Sequence, residues 1–75
     1  MDTYISTFYT HAGALISCRN LKKAGVAARM MPVPRKLSSS CGTCLTYQAE
    51  APLPDFMDSD LEDMYRVDGE NYIKL

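Results

Sequence analysis

The sequence predicts an α+β domain, a compact ferredoxin-like βαββαβ sandwich with a small antiparallel sheet and its helices on one face. Three observations predict it. Segments rich in β-branched and aromatic residues flank one long stretch of helical spacing. A helix-capping signature precedes a second, shorter helical pattern near residue 60. And 75 residues leave room for a single thin core, because a chain this short buries only about 60% of the surface its unfolded form exposes. One domain over residues 1–75 is therefore expected.

The elements follow in order. Residues 4–9, Tyr-Ile-Ser-Thr-Phe-Tyr, read as a strand. Thr10 is an N-cap candidate for a helix over 11–24. His11, Ala14, Leu15, Cys18, Leu21 and the stem of Lys22 fall on one stripe of that helix. Lys22 and Lys23 suit its C-terminus, and Gly25 ends it. Residues 26–31 form a second strand, closed by Pro32 and Pro34, which cannot donate to a ladder. Residues 34–42 are a polar loop, and 43–48 a third strand. Residues 49–58, with Pro52 and Pro54, read as loop. Ser59-Asp60-Leu61-Glu62 is a capping box, and Leu61, Met64 and Tyr65 share a helix face, so a short helix is placed at 59–65. An alternating reading through Leu61, Tyr65 and Val67 competes with it. Asp68-Gly69 signals a turn, and Tyr72-Ile73-Lys74 a short last edge strand.

The net charge of −1 conceals two unlike halves. Residues 1–48 hold six Lys and Arg and one acid, a net +5; residues 49–75 hold two and eight, a net −6. The basic half lacks a dense cationic cluster and the acidic half repels phosphates, which argues against nucleic acid as a partner. No apolar run of 18 residues is present, so no membrane span is expected. The N-terminus lacks a signal-peptide pattern, and three cysteines do not suit a secreted disulfide framework, so a cytoplasmic location is expected. His11, Cys18, Cys41 and Cys44 are too irregular a set for structural zinc, and the acids from Asp58 to Asp63 do not follow an EF-hand spacing. Neither a metal nor a cofactor is expected.

The motif with chemical content is Cys41-Gly42-Thr43-Cys44. A C-x-x-C pair is a redox dithiol, a metal half-site, or one working thiol with a neighbour. Fully extended, the pair cannot close a disulfide; a turn at Gly42 would allow it. Arg35, Lys36 and Ser38, Ser39 and Ser40 precede Cys41, and no acid occurs between Asp2 and Glu50. Positive charge and hydroxyl donors stabilise a thiolate, a persulfide anion or a bound oxyanion. Cys41 is thus the candidate reactive thiol, against the alternative of a small packing residue. Cys44 is a candidate resolving thiol or a half-buried strand residue, and Cys18 a core residue. His11 opens the helix at the same end of the sheet as this loop, as a candidate base or a backbone cap.

The stretch Met31-Pro32-Val33-Pro34-Arg35-Lys36-Leu37-Ser38-Ser39-Ser40-Cys41-Gly42-Thr43-Cys44 resembles the signature of the selenium/sulfur carrier-like family of small bacterial proteins. Tyr4-Ile5 to Phe8, Thr10 to Ala14 and Ala24-Gly25-Val26 resemble its first strand, helix entry and helix exit, so the resemblance covers about residues 3–48. It implies a carrier thiol at Cys41, with Cys41 and Gly42 matching the family's Cys-Gly element and Pro34, Arg35 and Ser38 the approach to it. Cys44 resembles a form found in part of the family. Sulfur-transfer carriers of the same general kind use Cys-Pro-x-Pro; here Met31 precedes Pro32-Val33-Pro34. The expectation is a non-enzymatic carrier that relays a sulfane atom between donor and acceptor proteins. A non-catalytic anion- or protein-binding module is the alternative, and a dithiol redox protein a third. A homodimer is compatible with each, because a second copy adds buried area.

Overall fold

In the computed structural model, which describes residues 1–75, five strands form one antiparallel sheet. The strands are β1 (Asp2–Phe8), β2 (Ala28–Pro32), β3 (Thr43–Ala49), β4 (Leu61–Asp68) and β5 (Asn71–Lys74), in the spatial order β2-β3-β1-β4-β5. A single helix, α1 (His11–Lys23), packs on one face, and a 3-10 turn at Pro54–Phe56 interrupts the connection from β3 to β4. The expected two-helix βαββαβ arrangement therefore does not form: the segment assigned to a second helix at 59–65 lies mostly within β4.

The reason lies in β1. All of Tyr4, Ile5, Ser6, Thr7 and Phe8 are buried, so this strand needs a neighbour on each edge to satisfy its backbone groups. β3 takes one edge, with Tyr4 opposite Tyr47 and Ser6 opposite Leu45. β4 takes the other, with Ile5 opposite Tyr65 and Ser6 opposite Met64. That pairing outweighs the local capping box. Residues 61–68 run as a strand whose register with β1 shifts once, and both Leu61 and Met64 pack against the core.

The core sits between α1 and the sheet. It comprises Tyr4, Phe8, Leu45, Tyr47 and Ala49 from the strands and Ala14, Cys18 and Leu21 from the helix. Burying a side chain such as Phe8 or Leu21 completely contributes about 1.5–3 kcal/mol. The helix face turned inward is Gly13, Ala14, Ser17, Cys18 and Leu21, which corrects the expected stripe: Leu15 is 43% exposed and His11 is exposed. Small residues at 13, 14 and 17 let the helix approach closely. Ser17, buried, donates to the Gly13 carbonyl at 2.8 Å and accepts the Asp58 N–H at 2.8 Å. The Tyr4 and Tyr47 rings stack at 5.6 Å, and the Tyr47 hydroxyl donates to the Pro52 carbonyl.

No acid lies in the first turn of α1, yet its N-terminus is compensated from elsewhere in the chain. Thr10 caps it by accepting the Gly13 N–H at 3.1 Å, and its hydroxyl donates to Asp60 Oδ2 at 2.6 Å. A carboxylate there complements the helix dipole. The acidic segment thus folds back onto the basic half, chiefly through the β1–β4 ladder and neutral donors. The only ion pair, Lys74 to Asp63 at 3.3 Å, lies within the acidic half.

Candidate functional site

The loop from Val33 to Gly42 joins β2 to β3 and holds the residues singled out from the sequence. It is tied down along the length of β4. At one end Ser40 bonds Glu62, through its N–H at 3.3 Å and its hydroxyl at 3.2 Å. At the other, Lys36 Nζ donates to the Glu70 carbonyl at 2.7 Å, in the turn after β4. Ser39 Oγ donates to the Phe8 carbonyl at 3.2 Å, and Val33 N–H to the Gly42 carbonyl at 3.2 Å. A segment tied in this way covers part of the helix-free face, where Ile5, Thr7 and Cys44 are buried outside the main core.

The three thiols are all free, and they have different surroundings. Cys18 is buried in the helix face, among the core residues. Cys44 is fully buried, its sulfur 3.8 Å from the Pro32 carbonyl. Burial pushes its thiol up from 9.0 to about 11; the neighbouring Cys41 adds to the rise and Arg29 opposes it. A thiol with that value holds about one part in ten thousand as thiolate at pH 7. Cys41 is half-buried, at the loop's end, and its Sγ–H donates to the Thr43 carbonyl at 3.2 Å. Gly42, with φ of +73°, makes the turn that separates the Cys41 loop from β3. An L side chain adopts that conformation only with strain.

The structure brings some of the expected residues together and not others. Ser39 and Ser40 flank the approach to Cys41, but their donors are committed to Phe8 and Glu62. Pro34 accepts the Leu37 N–H at 3.0 Å, closing a turn within the loop. Arg35 and Ser38 are exposed, and Arg35 forms no ion pair. His11 is exposed, and the Cys41 sulfur contacts Thr43 rather than its imidazole. No group of three or more His, Cys, Asp or Glu is arranged to hold a metal ion. Sequence reasoning misses Glu62, which the local capping pattern places on a helix. It also misses that the loop, acid-free in sequence, receives a carboxylate from β4.

Two open concavities mark the rest of the surface. One, of about 410 Å³, lies at Thr3, Arg29, Thr46 and Gln48; the other, of about 480 Å³, lies at Met1, Val26, Ala49 and Leu53. Neither is lined by a cysteine. No helix is long and apolar enough to cross a membrane.

No curated protein and no solved structure matches the chain. A family model does, over residues 3–54: the family described as "Putative Se/S carrier protein-like". That span takes in β1, α1, β2, the cysteine loop and β3. With more than half of its length matched, the chain belongs to the Se/S carrier-like family.

Proposed function

We propose that the protein carries a sulfane sulfur or selenium atom on Cys41 and passes it from a donor protein to an acceptor. The family supports a carrier-like role in general terms. The observation that supports Cys41 in particular is exposure: of three free thiols, two are buried and Cys41 alone reaches the surface. The step balances without an added oxidant or reductant. The Cys41 sulfur attacks the terminal sulfur of a donor persulfide; the donor's S–S bond breaks as the new S–S bond forms on Cys41. The departing donor thiolate takes up the proton that Cys41 released. Arg35 and Ser38, exposed and uncommitted, are free to approach the loaded group.

The alternative of an anion seat in the same loop is less favoured by the geometry. Ser39 and Ser40 already donate to internal acceptors, and the acceptor at Ser40 is itself a carboxylate, which repels a second anion.

Intact mass spectrometry after incubation with a cysteine desulfurase and cysteine tests the reading. An adduct of about 32 Da, one sulfur atom, is expected on the wild type. It persists in Cys18→Ser and Cys44→Ser and vanishes in Cys41→Ser. An absent adduct, or one that survives Cys41→Ser, refutes the proposal.

A further inference from the structure

The irregularity in the β1–β4 ladder lies beside the cysteine loop. β1 and β4 pair regularly as far as Thr7 opposite Asp63, and the next pair is Phe8 opposite Leu61. Glu62 is therefore the extra residue of a β-bulge. A bulge takes a side chain out of strict alternation and re-aims it. Here it aims a carboxylate at one residue. Oε1 accepts the Ser40 N–H, and Oε2 accepts the Ser40 hydroxyl. Both oxygens thus hold the residue immediately before Cys41.

We propose that Glu62 is a positioning residue that clamps the loop at Ser40, so that Cys41 meets a protein donor in a fixed orientation. This rests on the reading of Cys41 as the carrier thiol. Glu62 contacts Ser40 and not the sulfur, so it acts through the loop backbone. A carboxylate suits the task because each oxygen accepts a charge-assisted hydrogen bond from a different donor. Gln at this position keeps one acceptor for the N–H and offers its amide to the serine oxygen; Ala keeps neither. Glu62 lies beyond the part of the chain that the family model matches, so the clamp is supplied by the acidic segment to a loop in the family-matched part. Lys36 to Glu70 and Ser39 to Phe8 hold the loop elsewhere, and Val33 holds Gly42 on the far side of the thiol, which leaves Ser40 as the tie on its near side.

The test combines amide exchange by NMR with sulfur loading in wild type, Glu62→Ala and Glu62→Gln. The clamp predicts that Ser40 N–H exchange quickens about tenfold in Glu62→Ala. It predicts that loading of Cys41 from a cysteine desulfurase slows about tenfold, as a misplaced reacting group does. Glu62→Gln restores most of both. The urea midpoint stays near wild type in each variant, because both bonds are exposed. Unchanged Ser40 exchange in Glu62→Ala overturns the clamp. So does loading that stays at the wild-type rate, or loading lost in step with the urea midpoint, which would mark a merely structural role. Ser40 exchange is read without any sulfur donor. Failure of the wild type to load therefore counts against Cys41 as carrier, a result distinct from failure of the clamp.

Discussion

Replacing Gly13 by alanine tests how closely α1 approaches the loop before β4. In an open helix this change stabilises, because glycine costs about 1 kcal/mol relative to alanine. At position 13 the added Cβ would lie 2.8 Å from Asp60 Cβ, 3.3 Å from Phe8 Cδ2 and 3.4 Å from Asp58 Oδ2. The first of these is too close for real atoms, and the Asp60 Cβ cannot swing away as a side-chain tip would. Its backbone is pinned by the Tyr9 N–H to Asp60 carbonyl bond at 2.9 Å and by the Asp60 N–H to Asp58 Oδ2 bond at 3.1 Å. Relief requires the helix N-terminus and the Asp58–Asp60 segment to separate, which weakens the Thr10 to Asp60 bond as well.

Overpacking of this kind costs about 1–3 kcal/mol, which exceeds the gain in helix propensity. The net expectation is a loss of about 1–2 kcal/mol, or roughly 5–15 °C in Tm for a domain of this size. Urea denaturation gives the free energy and a thermal melt checks it. A double variant, Gly13→Ala with Asp60→Gly, removes the opposing Cβ, so the two changes together should cost less than their sum. A midpoint that rises in Gly13→Ala, or strict additivity in the cycle, would refute the close approach.

Two further outcomes follow from the surroundings of Cys44 and from the pattern of charge. The Cys44 thiol ionises at 9.0 when unexposed to the fold's influence and at about 11 within it, so above pH 9 the unfolded chain binds fewer protons and stability falls as pH rises. The contribution is complete below pH 9 and is lost between 9 and 11, about 3 kcal/mol in all. Urea midpoints across that range should fall more steeply for wild type than for Cys44→Ala, and parallel curves would count against it. Because the single ion pair is exposed, raising salt from about 0.05 to 0.5 M should change unfolding free energy by less than about 1 kcal/mol. A larger loss would mean that charge attraction, not strand pairing, joins the halves.

The elements legible in the sequence are those whose signals are local. β1, α1, β2 and β3 each announce themselves by composition, spacing, a cap or a proline stop, and they appear within a few residues of expectation. The misread segment carried two local signals of opposite meaning. Ser59-Asp60-Leu61-Glu62 has the form of a capping box, but Asp60 instead accepts from Thr10, the cap of α1, 50 positions away in the chain. What decides for a strand is the open edge of β1, which no window around residue 62 contains. The site divides in the same way. Loop composition nominates Cys41 as the candidate reactive thiol, and the residue is half-buried at the loop's end. The burial of Cys44 depends on which face of β3 it takes, and the Ser40–Glu62 contact depends on the β1–β4 register. Both follow only from tertiary pairing.

That pairing also changes the meaning of the charge division. A net +5 facing a net −6 suggests a tail held by ion pairs, yet three of the eight acids accept hydrogen bonds at defined places and only one forms an ion pair. Asp60 and Asp58 stand at the helix N-terminus, beside Thr10 and Gly13. Glu62 holds Ser40, and Asp63 meets Lys74 on the neighbouring strand. Residues beyond 54 are therefore part of the fold, since without β4 the buried strand β1 would present an unpaired edge. The cations are left unpaired instead: Arg19, Lys22 and Lys23 lie exposed on α1 and Arg35 on the cysteine loop. Half of the acids in residues 49–75, Glu50, Asp55, Asp68 and Glu70, are exposed as well and their carboxylates hold no internal partner, so both signs of charge face outward. What joins the two halves is the strand order, with β4 on the open edge of β1, rather than the net charge.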